Sequence, residues 1–179
     1  MITAKDTALV IIDVQEKLIP AMQDKADLLD NLKKMIKGAR VLGLPILFTE
    51  QNPAGLGPTV PEIAELLPDA KPVIKFSFSS CDTEAFMEEL TAVNRQNILI
   101  AGIEAHVCVY QTAVDLVNLN YNVQVVADAV DSRTNRNKRI GLEKSKAAGA
   151  DITSTEIALF ELLKIAKGDT FKEIIKIVK

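Results

Sequence analysis

Tryptophan is absent from this chain of 179 residues, and aromatic residues as a whole make up only 4%. A base-stacking platform for single-stranded nucleic acid is therefore not expected. Positive charge is not in excess either. The net charge is −3, so no global basic field would hold nucleic acid or an anionic membrane. Cysteine occurs twice, at Cys81 and Cys108, with no CxxC spacing. A disulfide scaffold is not expected, and a reducing, cytoplasmic setting fits better. Long apolar runs are missing too. The opening MITAKDTALVIIDV holds a short apolar run followed at once by charges, too short to span a membrane and without a small-residue cleavage site.

Three common motifs are also absent. After the first apolar run the chain reads DVQEKL, not GxGxxG, so no dinucleotide phosphate turn follows it. GxxxxGK[ST] and GxSxG occur nowhere, which excludes a P-loop and an ordinary serine α/β-hydrolase. Hydrophobic content of 48% and charged content of 25% are ordinary for one soluble globular domain, read here as residues 1–179.

Short apolar runs recur at regular intervals: TALVIID (7–13), PILFTE (45–50), KPVIKF (71–76), NILIAG (97–102), NVQVVAD (122–128) and a weaker ADITS (150–154). Runs of this length and β-branched content suit parallel strands buried on both faces. Helical spacing lies between them, over 25–43, 82–94, 105–119, 135–148, 155–166 and 169–178. The first ends on Gly43 before Pro45, and the second has Asp82 as a candidate cap. Alternating strands and helices predict right-handed crossovers and a three-layer α/β/α domain on a mostly parallel six-stranded sheet. One long loop is expected at QNPAGLGPTVPE (51–62).

Three ionisable residues close predicted strands or follow them. Asp13 ends the first, Lys75 the third, and Cys108 comes six residues after Gly102, in the first turns of the helix behind the fourth. In a parallel sheet these ends share one edge. A lysine ammonium and a helix N-terminus would favour the thiolate, Asp13 could carry a proton, and the amides of the turn 103–108 could face an oxyanion. Taken singly, Asp13 reads equally as a helix cap, Lys75 as a solvated lysine and Cys108 as a small buried hydrophobe. Cys81 reads as structural. His106 lies two residues from Cys108, so the two side chains do not face each other on a helix. It reads as a pocket or packing residue rather than a base.

The segments ALVIIDVQEKL (8–18), TEQNPAGLGPT (49–59), KFSFS (75–79), AGIEAHVCVYQTAVDL (101–116), VVADAVDSR (125–133) and TSTEIALFELL (153–163) carry a resemblance over nearly the whole chain. The chain resembles the isochorismatase-like cysteine hydrolases, most closely the isochorismatase domain-containing group. That resemblance implies the isochorismatase-like hydrolase fold and a catalytic triad of Asp13 as proton carrier, Lys75 as charge support and Cys108 as nucleophile. It also implies a non-proline cis peptide between Ile103 and Glu104, with the amides of Glu104 and Cys108 forming an oxyanion hole. Homo-oligomers are implied as well.

Two departures narrow the chemistry. Nicotinamidases of the superfamily carry an Asp-x-His metal site near the second strand, where this chain reads FTEQNPAGLG, and no histidine other than His106 exists. No catalytic metal and no cofactor are therefore expected. Isochorismatases proper lack a cysteine nucleophile, so Cys108 points to an amide-like C–N substrate cleaved through an acyl-enzyme rather than to vinyl-ether cleavage. By position, Gln15, Phe48, Leu56, Phe78, His106 and Tyr110 are expected to line the pocket. No arginine is obviously aimed at it, which favours a small neutral substrate. SRTNRNKR (132–139) reads as a solvated helix start. The competing readings are a non-catalytic interaction module on the same scaffold, a vinyl-ether hydrolase, and a redox-sensing thiol.

Overall fold

The computed structural model describes all 179 residues. The strands are β1 (Thr7–Ile12), β2 (Ile46–Gln51), β3 (Val73–Lys75), β4 (Asn97–Ile103), β5 (Asn122–Asp131) and β6 (Asp151–Thr153). They form one sheet in the order β3-β2-β1-β4-β5-β6, and every pairing is parallel. The central strands β1 and β4 are buried at every position, as unbroken apolar runs covered on both faces require.

The helices are α1 (Lys25–Val41), α2 (Pro53–Leu56), α3 (Pro61–Ala64), α4 (Glu84–Val93), α5 (Cys108–Asn118), α6 (Asn135–Ala147), α7 (Thr155–Leu163) and α8 (Asp169–Val178). Leu28, Leu32, Ile36, Leu159 and Ile174 from α1, α7 and α8 pack on Leu9, Ile11 and Phe48 of one sheet face. Phe86, Leu90, Val109 and Leu116 from α4 and α5 pack on Ala8, Val10 and Ile12 of the other. The result is the expected three-layer α/β/α fold. Strand order reverses between β1 and β4, where doubly wound sheets open a crevice at the carboxyl ends of their strands.

Three expectations need correction. The 51–62 segment is not a long irregular loop. Two one-turn helices fill it, each opened by a proline at its first position, where the ring's fixed φ suits the helix and the missing N–H is not needed. Asp82 does not cap the helix after β3. It ends a 3-10 turn (Ser80–Asp82), and α4 starts at Glu84. The helix after β4 begins at Cys108 rather than at 105, because Val107 has a non-helical backbone, φ −121° and ψ −94°; the amide of Ala105 bonds outward to the Asp131 carbonyl at 2.8 Å. Residues 104–107 form a separate turn ahead of the helix.

Candidate active site

Asp13 follows the last residue of β1 and adopts a left-handed backbone, φ 51°. Asparagine and aspartate tolerate that region better than other non-glycine residues. The turn swings its carboxylate under the end of β2. Its side chain is 1% exposed and accepts from Lys75 Nζ at 2.7 Å. Its other oxygen accepts from the Thr49 hydroxyl at 2.7 Å.

Lys75, the last residue of β3, has a fully buried side chain. Besides Asp13, its ammonium meets Gln51 Oε1 at 2.8 Å and the carbonyls of Ser77 and Phe78 at 3.2 Å each. Four acceptors thus surround a group with three hydrogens. That enclosure holds the cation in place and leaves it no free hydrogen to give away.

Cys108 opens α5 and is 8% exposed. Asp13 and Lys75 both lie close enough to its thiol to perturb it directly. The three side chains therefore meet, although 62 and then 33 residues separate them along the chain. The thiol's pKa is pushed from 9.0 up to about 12, first by burial and then by the Asp13 charge, with the Lys75 ammonium only partly offsetting them. The ammonium favours the thiolate, as expected, but it is outweighed. Desolvation of the anion and the nearby carboxylate win, so Cys108 rests as a thiol. Cys81, also pushed up to about 12 by burial and by Asp115, is a structural thiol outside this group.

The turn ahead of Cys108 is built from both sides. The Ile103–Glu104 peptide is cis. Asp131 at the end of β5 holds the Ala105 amide, and the Glu104 carbonyl accepts from Val107 and Val109. The amides of Glu104 and Cys108 have no intramolecular acceptor. The Glu104 carboxylate is pinned by the Arg133 amide at 3.0 Å and guanidinium at 3.1 Å. Gly141 of α6 lies against this turn. A Cβ there would come within 2.5 Å of the Ala105 carbonyl oxygen and 2.7 Å of the His106 nitrogen.

Three expected pocket residues are placed elsewhere. Gln15 is fully buried and its amide is saturated. It donates to the carbonyls of Gln51 and Gly57 and accepts from the Gln51 amide. It staples the 51–57 segment rather than facing a substrate. Phe48 is buried among the α1 and α7 side chains, on the sheet face opposite Cys108, because neighbouring positions on a strand alternate faces. Tyr110 packs under Lys144 Nζ of α6, 5.2 Å from its ring centroid. Two residues along a helix is about 200° of turn from Cys108. Of the others, Leu56 is half-buried on α2, Phe78 is exposed with its carbonyl on Lys75, and His106 is half-buried with Nδ1 3.0 Å from the Ser132 hydroxyl.

Thr49 and Gln51 were not expected at the site. The signal was present: Thr49, Glu50 and Gln51 are three polar residues at the carboxyl end of a strand that begins with Ile46, Leu47 and Phe48. No three His, Cys, Asp or Glu side chains cluster in a way that could hold a metal ion.

The model of the isochorismatase domain matches residues 7–157. This chain belongs to the isochorismatase family. The zebrafish isochorismatase domain-containing protein 2 is 37% identical over 99% of this chain and 89% of its own length. The zebrafish isochorismatase domain-containing protein 1 is also 37% identical, over 93% of this chain, which spans only 59% of that relative. Among solved structures, one described as the MAR1 ribonuclease of Caenorhabditis elegans superimposes with a TM-score of 0.93 at 35% identity, covering 99% of this chain and 91% of that one. An isochorismatase-family hydrolase is the coarse assignment these relationships support.

Proposed function

We propose that this isochorismatase-family chain is a metal-independent cysteine hydrolase that cleaves a small, uncharged amide-like C–N bond through a Cys108 acyl-enzyme. The observation that carries the reading is the buried Asp13–Lys75 ion pair at 2.7 Å set directly against the Cys108 thiol.

The steps follow from the charges. A thiol with a pKa near 12 is a poor nucleophile at neutral pH, so its proton must leave as the S–C bond forms. Asp13 is the acceptor. The oxyanion that develops on the carbonyl lies by the free amides of Glu104 and Cys108. Asp13 then returns the proton to the leaving nitrogen, the C–N bond breaks, and a thioester remains. Water attacks it with Asp13 taking the water's proton, the C–S bond breaks, and the proton returns to sulfur. Lys75 stays a fixed cation throughout, since its hydrogens are already engaged.

The same features bear on the substrate class. Lys75 is enclosed, and Arg133 is held by Glu104. Neither is free to bind a carboxylate or a phosphodiester, so a neutral carbonyl compound fits better than a di-acid or RNA. The raised thiol pKa also disfavours a redox sensor, which needs an accessible thiolate. No helix is long and apolar enough to cross a membrane. A cytoplasmic, homo-oligomeric enzyme is the setting we propose from the family resemblance.

The test is turnover of a panel of uncharged primary amides and carbamoyl compounds by the wild type and by Cys108→Ala, with intact-mass detection of a thioester on the wild type. Turnover that needs Cys108, with an adduct on that residue, is expected. Hydrolysis that survives Cys108→Ala, or a panel wholly untouched together with a Cys108 that no electrophile labels, overturns the reading.

A further inference from the structure

We infer that Thr49 is a positioning residue for Asp13, fixing the carboxylate that takes the Cys108 proton. The inference rests on the reading above, in which Asp13 carries that proton.

Thr49 holds Asp13 at two points. Its carbonyl accepts from the Asp13 amide at 3.2 Å, and its hydroxyl donates to Asp13 Oδ1 at 2.7 Å. The first contact ties down the backbone of a residue in the left-handed region. The second fixes rotation of the carboxylate about its last bond. Lys75 holds the other oxygen, so the carboxylate plane is defined from both sides. Both partners are buried, Thr49 at 1% and Asp13 at 0% exposure, so water does not replace the hydroxyl.

A hydroxyl in that place does two things. It gives the buried carboxylate a hydrogen-bond partner in place of the water it has lost. It also directs the remaining lone pairs, of which a carboxylate has about four. The groups that face Asp13 and carry or gain charge are Lys75 from β3 and Cys108 from α5. Thr49 supplies a neutral hydroxyl donor to the carboxylate.

The experiment needs no knowledge of the natural substrate. Iodoacetamide alkylates Cys108: the S–C bond forms, the C–I bond breaks, iodide leaves, and the thiol proton passes to Asp13. The rate is followed by mass spectrometry from pH 4 to 10. With Asp13 as acceptor, the wild type shows an acid limb and then a plateau. Without an acceptor, the rate climbs about tenfold per pH unit toward the thiol's own ionisation.

Thr49→Val keeps the β-branched shape and removes the donor. It is expected to slow Cys108 alkylation roughly tenfold on the acid limb, because the carboxylate is no longer held toward the thiol. Thr49→Ser is expected to return the limb to its wild-type rate, and Thr49→Ala replaces Thr49→Val should the latter not fold. Asp13→Asn is expected to abolish the limb. A Thr49→Val profile that overlays the wild type, or a Thr49→Ser profile displaced as far as Thr49→Val, overturns the role of Thr49. An Asp13→Asn profile that overlays the wild type overturns instead the mechanism on which it rests.

Discussion

At the scale of single residues, Cys108 shows how strongly surroundings govern a side chain's chemistry. Its thiol and that of Cys81 are both held near 12 against an ordinary 9.0. In the unfolded chain both ionise around pH 9. In the folded chain both keep their protons until about pH 12. Between those values the unfolded state binds fewer protons than the folded one, so stability falls as pH rises. Urea titrations at pH 8, 9, 10 and 11 should show this decline, and Cys81→Ala should shallow it while leaving alkylation of Cys108 unchanged. A slope identical in Cys81→Ala and the wild type would contradict it. Asp13 and Lys75 were legible as candidates because each is a reactive type closing a predicted strand, and Cys108 because it follows one by six residues at the start of a predicted helix. The protonation of Cys108 was not, since it depends on how much water the tertiary structure removes. Nor was the saturation of Gln15, whose three partners lie about 36 to 42 residues away.

Among elements, close approach sets the site. Gly102 of β4 has φ 114°, and a Cβ there would fall 2.2 Å from the Ile12 carbonyl oxygen. Gly141 lets α6 press on the turn that precedes Cys108. Gly141→Ala is expected to cost about 1–3 kcal/mol and to displace the Ala105–His106 peptide. Turnover on any active amide should fall at least tenfold while far-UV circular dichroism is unchanged; undiminished turnover would show that the turn does not depend on this contact. Gln15→Leu strands the Gln51 amide and two carbonyls. It is expected to lower stability by more than about 2 kcal/mol, measurable as a fall in Tm of several degrees. Strand positions and the longer helices were legible from periodicity, which reports burial directly. The 51–62 helices and the late start of α5 were not. One-turn helices carry no period, and the start of α5 is set by the non-helical backbone of Val107, which apolar spacing does not report.

Over the whole molecule, the order β3-β2-β1-β4-β5-β6 brings together groups that the chain scatters. Lys75 arrives on the edge strand, Thr49 and Gln51 on its neighbour, Asp13 on a central strand, Cys108 behind the other central strand. No single supersecondary unit contains the site. The Asp13-dependent alkylation of Cys108 below pH 7 should therefore vanish in urea together with the circular dichroism signal, in one transition. Loss of that reactivity well before the global transition would show that the site opens locally.

The bond from the Ala105 amide to the Asp131 carbonyl has a consequence for synthesis. The side chains of Asp13, Lys75 and Cys108 have all been translated once residue 108 is added, but the strand that braces the turn ahead of Cys108 is complete only 23 residues later. A chain emerging from the ribosome holds its reagents for that interval without the scaffold that would let them react.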